Sequence, residues 1–316
     1  VKAETATYSQ DRKTAQLQKI TGNIYREGEI VLQISGDVGE IYQDGKQILL
    51  KENITAIDPR NKAVIKANEA RWRPDIDTLI VKDKLTGSNG NLKISADTGK
   101  YYAANEQLEL SGNIIALNQA PAIQLKTQHA VWQVAQQQIV IDVPLELARY
   151  QDQKSISQAF ANRGAILLAR NYATLEKEVN FRSLQPRLQV ASERINWYYQ
   201  TDKIASNQVV KIIDLENELV FVGNQGEMDL QREIVQLQGG VRGKSDRNQS
   251  QLYADRLTWN IITDIVEAQG NVIYQQQDPR VHFTGAKAVG KLKENKMVVS
   301  SQGKQQVITE IYPAKK

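Results

Sequence analysis

The sequence repeats itself with a period of about 31 residues, and no other feature restricts its possible folds so tightly. A small residue, a small or apolar residue three later and an aromatic or apolar residue two beyond that form the first phrase. It recurs as Gly36/Gly39/Ile41, Ala67/Ala70/Trp72, Ala96/Gly99/Tyr101, Thr127/Ala130/Trp132, Ala161/Gly164/Ile166, Ser192/Ile195/Trp197, Gly223/Gly226/Met228, Ala254/Leu257/Trp259 and Gly285/Ala288/Gly290. The starts step by 31, 29, 31, 34, 31, 31, 31 and 31 residues, and a degenerate first copy is placed at Ala6. A second phrase begins sixteen residues after a start: Gly22-Asn23-Ile24, Glu52-Asn53-Ile54, Gly112-Asn113-Ile114, Gly239-Gly240-Val241 and Gly270-Asn271-Val272. Ten tandem copies leave no gap for another module, so the chain reads as one repeat domain over 1–316, ragged at 1–5 and 310–316. A tandem array buries a continuous core by stacking neighbours, and its function belongs to a long surface or groove.

The copies are hairpins. Counting from each first small residue, position twelve holds Ile48, Leu79, Leu108, Ile139, Val235 and Val266. Position fourteen holds Leu50, Val81, Leu110, Ile141 and Leu237, and position eighteen Ile54, Ile114, Val241 and Val272. Each of these columns is apolar in nine copies of ten. Ile94, Leu125 and Leu252 stand two residues before a start. A spacing of two is the strand period, and no stretch sustains the three-and-four spacing of a helix. Position ten is polar in every copy (Gln16, Lys46, Asp77, Glu106, Gln137, Asn171, Asp202, Glu233, Asp264, Asn295), as a turn requires. The inward parity flips just after each first small residue, which demands an extra residue there, a bulge or sharp corner. The expected fold is all-β: an elongated twisted β-jellyroll of about ten 31-residue hairpins, with two facing antiparallel sheets and an apolar interior.

Composition excludes several functions. The chain has no cysteine, so neither a disulfide framework nor thiolate chemistry is open to it. The net charge is +4, but the basic residues are scattered with no run of five, which disfavours nucleic acid. No apolar run approaches the ~18 residues of a membrane span. A chain opening on Val1 is expected to have lost an upstream signal peptide or anchor.

The repeated small-x-x-small-x-aromatic strand followed by Gly-Asn and a β-branched residue, clearest in "YADRLTWNIITDIVEAQGNVIYQQ" at Tyr253–Gln277, resembles the lipopolysaccharide-transport superfamily of LptC, LptA and the amino-terminal part of LptD. In length the chain is most like the longer LptC-like proteins of cyanobacteria. The resemblance implies a periplasmic, non-enzymatic jellyroll that shelters the acyl chains of lipopolysaccharide in an apolar groove and passes them between envelope partners. It implies edge-strand pairing with other jellyroll Lpt proteins, docking on an inner-membrane ABC transporter and an amino-terminal membrane helix upstream of this chain. The pattern alone favours a packed core for the apolar columns, whereas the resemblance favours a lipid groove built from the eighteen residues named at positions twelve, fourteen and eighteen and before the starts. Water contact costs a lipid chain about 0.8 kcal/mol per methylene, so such a groove has a physical purpose.

The remaining motifs point to no chemistry. His129 and His282 are far apart in sequence, with no carboxylate at ligand spacing, and are read as strand or surface residues without metal or triad. "GAKAVGKL" at Gly285–Leu292 lacks the hydroxyl residue of a phosphate loop and falls on the repeat register. Asp75 and Asp77 belong to a turn beside Pro74, and Trp72, Trp132, Trp197 and Trp259 are assigned to packing at the corners. No catalytic residue or cofactor is expected. The alternatives to a lipid conduit are a structural or adhesive β-solenoid and a polysaccharide-acting β-solenoid enzyme.

Overall fold

The computed structural model describes residues 1–42, 46–247, 249–277, 280–292, 296–300 and 307–311. The strands pair antiparallel, and Pro74–Ile76 and Leu168–Arg170 are three-residue 3-10 turns. The chain divides into two compact units: Val1–Tyr150 with Ala165–Arg170, and Gln151–Gly164 with Asn171–Lys316.

Each unit is a β-jellyroll built by one device. In the first, the strands Thr14–Arg26, Glu29–Tyr42, Ile48–Ile57, Val64–Arg73, Thr78–Asn89, Leu92–Tyr102, Gln107–Gln119 and Ala122–Gln133 form a meander, each paired with the next. In the second, Tyr172–Leu184, Arg187–Tyr198, Ile234–Ser245, Ser250–Asn260, Ile265–Gln277 and Arg280–Lys291 are the long strands. The pairing register slips at the same place in six copies, between Lys51 and Ile54, Lys82 and Leu85, Ser111 and Ile114, Glu176 and Val179, Gln238 and Val241, and Gln269 and Val272. The two skipped residues both take left-handed backbone angles, φ 77° and 44° at Gly112 and Asn113, 76° and 46° at Gly270 and Asn271. This is the corner that the parity flip requires, but the extra residue stands in the Gly-Asn strand, two residues opposite one, rather than after the first small residue. It bends every strand so that its two halves line opposite sides of the same core.

The corner explains the Gly-Asn phrase. A Cβ at Gly112 or Gly270 would collide with the side chain of Asp97 or Asp255. That carboxylate lies over the corner and accepts a hydrogen bond from Asn113 Nδ2 (2.8 Å) or Asn271 Nδ2 (3.0 Å). Glycine supplies both the space and the conformation, and asparagine tolerates the left-handed region better than most residues. Where glycine is absent the corner keeps its left-handed form with a different latch: Asp83-Lys84 and Lys177-Glu178 have φ of 54–64°, and Asn68 Nδ2 and Asn162 Nδ2 donate to Asp83 and Glu178.

The tenth position is a left-handed turn in seven copies, but Gln16 lies inside the strand Thr14–Arg26, paired with Thr7 and Glu40. Asp77, Glu106, Gln137, Asn171, Asp202, Glu233 and Asp264 all have φ between 45° and 61°. The carbonyls of Asp77, Glu106, Gln137, Asp202, Glu233 and Asp264 accept hydrogen bonds from the N–H groups of Ala103, Val134, Leu168, Leu230, Ile261 and Leu292, seven residues into the following copy, at 2.9–3.1 Å. Asn295 lies outside the described residues.

The first copy departs from the sequence reading. Gly22 and Asn23 sit in regular strand opposite Ile34 and Gln33, and neither is left-handed. The bend falls instead at Lys19 (φ 52°), where Gln18 pairs with Val38 and Ile20 with Gly36. The corner there skips one residue, Lys19 opposite Asp37, rather than two opposite one, so counting sixteen from Ala6 lands on the wrong residues: Gln18 is exposed, while Leu17 and Ile20 fill the core. Residues 1–5 are also tied down. Lys2 and Thr21 exchange backbone hydrogen bonds, and Thr5 pairs with Gln18. Residues 312–316 lie outside the described residues, and Ile308–Ile311 pairs with Val281–Thr284.

Candidate functional site

Seventeen of the eighteen residues assigned to the interior are buried, and Ile48 is half-buried. Burial does not make them alike. In the first unit Ile94, Leu108 and Leu110 face a cavity of about 50 Å³ between the two halves of the bent strands. Ile48, Leu50, Ile54, Leu79, Val81, Ile114, Leu125, Ile139 and Ile141 are not part of its wall. In the second unit Val235, Leu237, Val241, Leu252, Val266 and Val272 are at most 7% exposed and close on other side chains.

The difference comes from one cross-strand row. In the first unit the inward residues run Ala56, Ile65, Gly87, Ile94, Ala116, Leu125 and Leu147, each paired with the next. In the second the same row runs Ala159, Phe181, Val190, Ile212, Phe221, Gly243, Leu252, Tyr274 and Phe283. In the second row Tyr274 borders a pocket of about 60 Å³ shared with Leu219, Ser245, Arg247, Lys291 and Met297, and aromatic rings fill much of the rest. Phe181 meets Trp197 edge-on at 5.2 Å, Phe221 lies 5.6 Å from Trp259, and the Phe221 ring lies 2.9 Å from where a Gly243 Cβ would stand. In the first row a Cβ at Gly87 would meet nothing closer than the Val64 carbonyl oxygen, at 3.7 Å. Ala56 and Gly87 are thus too small to reach across, and Leu85, Tyr101 and Trp132 enclose the space they leave. A void in an otherwise dense interior forfeits dispersion contacts along its whole lining, at about 24 cal/mol per Å³, or roughly 1.2 kcal/mol here.

Half of each row, including Ile94, Leu125 and Leu252, is legible in the sequence, but the other half sits at position twenty, a column of mixed size: Ala56, Gly87, Ala116, Leu147, Phe181, Ile212, Gly243, Tyr274. Three consecutive small residues there were the available clue. The tryptophans at the phrase ends are packing residues in the second unit, with Trp197 and Trp259 fully buried, whereas Trp132 walls the cavity.

Asp58 also lines the cavity and belongs to a charge cluster. Arg60 Nη2 donates to Asp58 Oδ2 (2.8 Å), and Arg60 Nη1 and Arg26 Nη1 donate to Glu106 Oε1 (2.8 and 2.9 Å). Burial alone would raise the Asp58 carboxyl, but the Arg60 hydrogen bonds hold it below its ordinary value. The neighbouring Tyr101 hydroxyl is pushed up to about 12 by burial, reinforced by the Glu106 charge. Two cations and two anions balance, so the cluster ties the segments carrying Arg26, Asp58 and Glu106 together without offering a net charge to a ligand.

The histidines resolve differently from their sequence reading. His129 does have carboxylate partners: Asp142 Oδ1 at 2.9 Å from Nδ1 and Glu109 Oε1 at 3.4 Å from Nε2. Folding brings these together from 13 and 20 residues away, so no local spacing could reveal them. His282 Nδ1 lies 3.2 Å from Gln275 Nε2. Among the described residues no group of three or more His, Asp or Glu is arranged to hold a metal, and no helix is long and apolar enough to cross a membrane. Gly285–Lys291 is strand in register, and Asp75 and Asp77 occupy a turn.

A search of curated proteins finds no significant match. A family model described as LptC, lipopolysaccharide-assembly, LptC-related, matches residues 1–92 and 123–246, well over half of the chain. With its all-β jellyroll architecture and its repeated strand–corner–strand pattern, the chain belongs to the LptC-related family of lipopolysaccharide-assembly proteins.

Proposed function

We propose that this protein, whose family gives it a role in lipopolysaccharide transport, shelters the acyl chains of lipid A in the first unit and passes them to envelope partners. The observation that carries this reading is the contrast between the two rows. Aromatic residues fill much of this row in the second unit, whose own pocket of about 60 Å³ has Arg247, Lys291, Ser245 and Ser250 in its wall, whereas the first unit leaves a mainly apolar cavity flanked by Ala56 and Gly87. At 50 Å³ the cavity is a starting point for a chain, so loading requires the two halves of the bent strands to move apart. Each methylene that enters leaves water with a gain of about 0.8 kcal/mol, which can offset local separation of the layers. Transfer between equivalent apolar sites is close to isoenergetic, so direction comes from an energised partner, an inner-membrane ABC transporter. The exposed strand Thr5–Tyr8 suits edge pairing with another jellyroll Lpt protein. Such a role places the chain in the periplasm, tethered to the inner membrane by an upstream helix.

Site-specific photo-crosslinking tests the reading. A crosslinker at Leu110 captures lipopolysaccharide, and one at Asn113, on the exposed corner, does not. One at Val272, in the second unit, gives the lower yield of the two interior positions. Equal capture at Leu110 and Asn113 would falsify the interior assignment. Equal capture at Leu110 and Val272 would show that both units load, and the row contrast would lose its meaning.

A further inference from the structure

The outer face of the first unit carries a second feature, a cleft of about 370 Å³, within the size range of small-molecule sites. Strand register assembles it from side chains that point away from the core. Lys66 pairs with Thr86, Thr86 with Ser95 and Ser95 with Ile115, while Ser88 pairs with Lys93 and Lys93 with Leu117. The chemistry of this set is specific. Ile115 and Leu117 are 38% and 40% exposed, an apolar floor on a face that is otherwise polar. Lys66 and Lys93 are exposed and form no ion pair among the described residues, and no acidic residue lines the cleft. Nearby lysines are matched: Lys100 lies 4.0 Å from Glu109 and Lys126 lies 3.8 Å from Glu146. The hydroxyls of Thr86, Ser88 and Ser95 make no side-chain hydrogen bond among the described residues, so three donors stand beside two ammonium groups.

We propose that this cleft binds the phosphate-bearing head of a lipid. Lys66 and Lys93 flank the phosphate, the three hydroxyls donate to its oxygens, and the first methylenes of the chain lie on Ile115 and Leu117. Lys66 and Lys93 stand on strands separated by one other, about 10 Å laterally at the usual strand spacing, within the reach of two lysine side chains converging on one group. A charge-assisted hydrogen bond is roughly twice as strong as a neutral one, and the paired cations favour a phosphate over a sugar hydroxyl. Val64, Gly87, Ser88 and Ile94 are walls of both this cleft and the interior cavity, so the headgroup site adjoins the chain site without depending on it.

Binding of dodecyl phosphate, dodecyl maltoside and inorganic phosphate to the full chain, each amphiphile below its micelle concentration, tests the proposal. Dodecyl phosphate is expected to bind at least about tenfold more tightly than dodecyl maltoside, a difference of about 1.4 kcal/mol, with inorganic phosphate weaker than both. The double variant Lys66→Gln/Lys93→Gln is expected to erase that preference, and Leu117→Gln to weaken both amphiphiles. Ala56→Leu, which fills only the interior, leaves the preference intact. Far-ultraviolet circular dichroism checks that these variants fold. A preference that survives the double lysine variant overturns the proposal. So does inorganic phosphate binding as tightly as the amphiphile, which would mark a free-anion site. Displacement of dodecyl phosphate by a tighter-binding acidic peptide would make the occupant a protein and also overturn it. If Ala56→Leu alone abolishes binding, the probe sits in the interior, and this proposal fails while the acyl-chain reading stands.

Discussion

Replacing Gly87 with valine places a β-branched side chain in the empty part of the first unit's inner row. A Cβ there meets only the Val64 carbonyl oxygen at an ordinary 3.7 Å, and Gly87 is not among the positive-φ glycines, so the backbone accepts the change. Filling about 50 Å³ recovers up to about 1.2 kcal/mol at 24 cal/mol per Å³. Removing a glycine from the unfolded chain adds about 0.4–1 kcal/mol. The sum, at most about 1.6–2.2 kcal/mol, corresponds to a rise of several degrees in Tm at the 2–4 °C per kcal/mol typical of chains of 150–250 residues. The same substitution occupies the space assigned to the acyl chain, so crosslinking of lipopolysaccharide from Leu110 should fall as Tm rises. Scanning calorimetry and the crosslinking assay, run on the same preparation, read the two effects. A variant that is stabilised yet captures lipid at the original yield refutes the acyl-chain site. One that is destabilised refutes the claim that the space is empty.

Phe181→Ala, the opposite change in the second unit, should cost about 3–5 kcal/mol by chemical denaturation and leave Leu110 crosslinking of the folded fraction unchanged. Gly270→Ala forces a left-handed alanine against Asp255 and should destabilise by about 1–2 kcal/mol, with Gly22→Ala, in regular strand, as the milder control. The His129 imidazolium is raised above its ordinary pKa, first by the hydrogen bond to Asp142 and further by Glu109, against an opposing effect of burial. Its contribution to stability is therefore complete below the unfolded value near 6.5 and is lost as pH rises through the folded value. Denaturation midpoints measured across that window should decline with pH in the parent and less steeply in His129→Gln, and parallel slopes would exclude the clasp.

The fold was legible because its constraints are local. A corner of two left-handed residues, a left-handed turn at position ten and alternating apolar residues all recur at fixed spacing, and counting finds them. Counting failed at Ala6, where a corner one residue shorter leaves Gly22-Asn23 as an accidental likeness in a straight strand. The cavity was less legible because size matters there only in combination. Gly87 and Gly243 share a column, yet one borders a void and the other is covered by Phe221 from the paired strand. His129 and its carboxylates, and the cleft between Lys66 and Lys93, exist only once the register is known.

The turn carbonyls at position ten have an evolutionary consequence. Because the carbonyls of Asp77, Glu106, Gln137, Asp202, Glu233 and Asp264 are each satisfied by an amide of the next copy, those copies are not self-sufficient, but their junctions share one chemistry. Excising one whole copy and rejoining the chain would leave each donor with an acceptor, while a deletion of a few residues would strand one. Length variants of such a protein should therefore differ by whole multiples of a hairpin, like a chain shortened link by link.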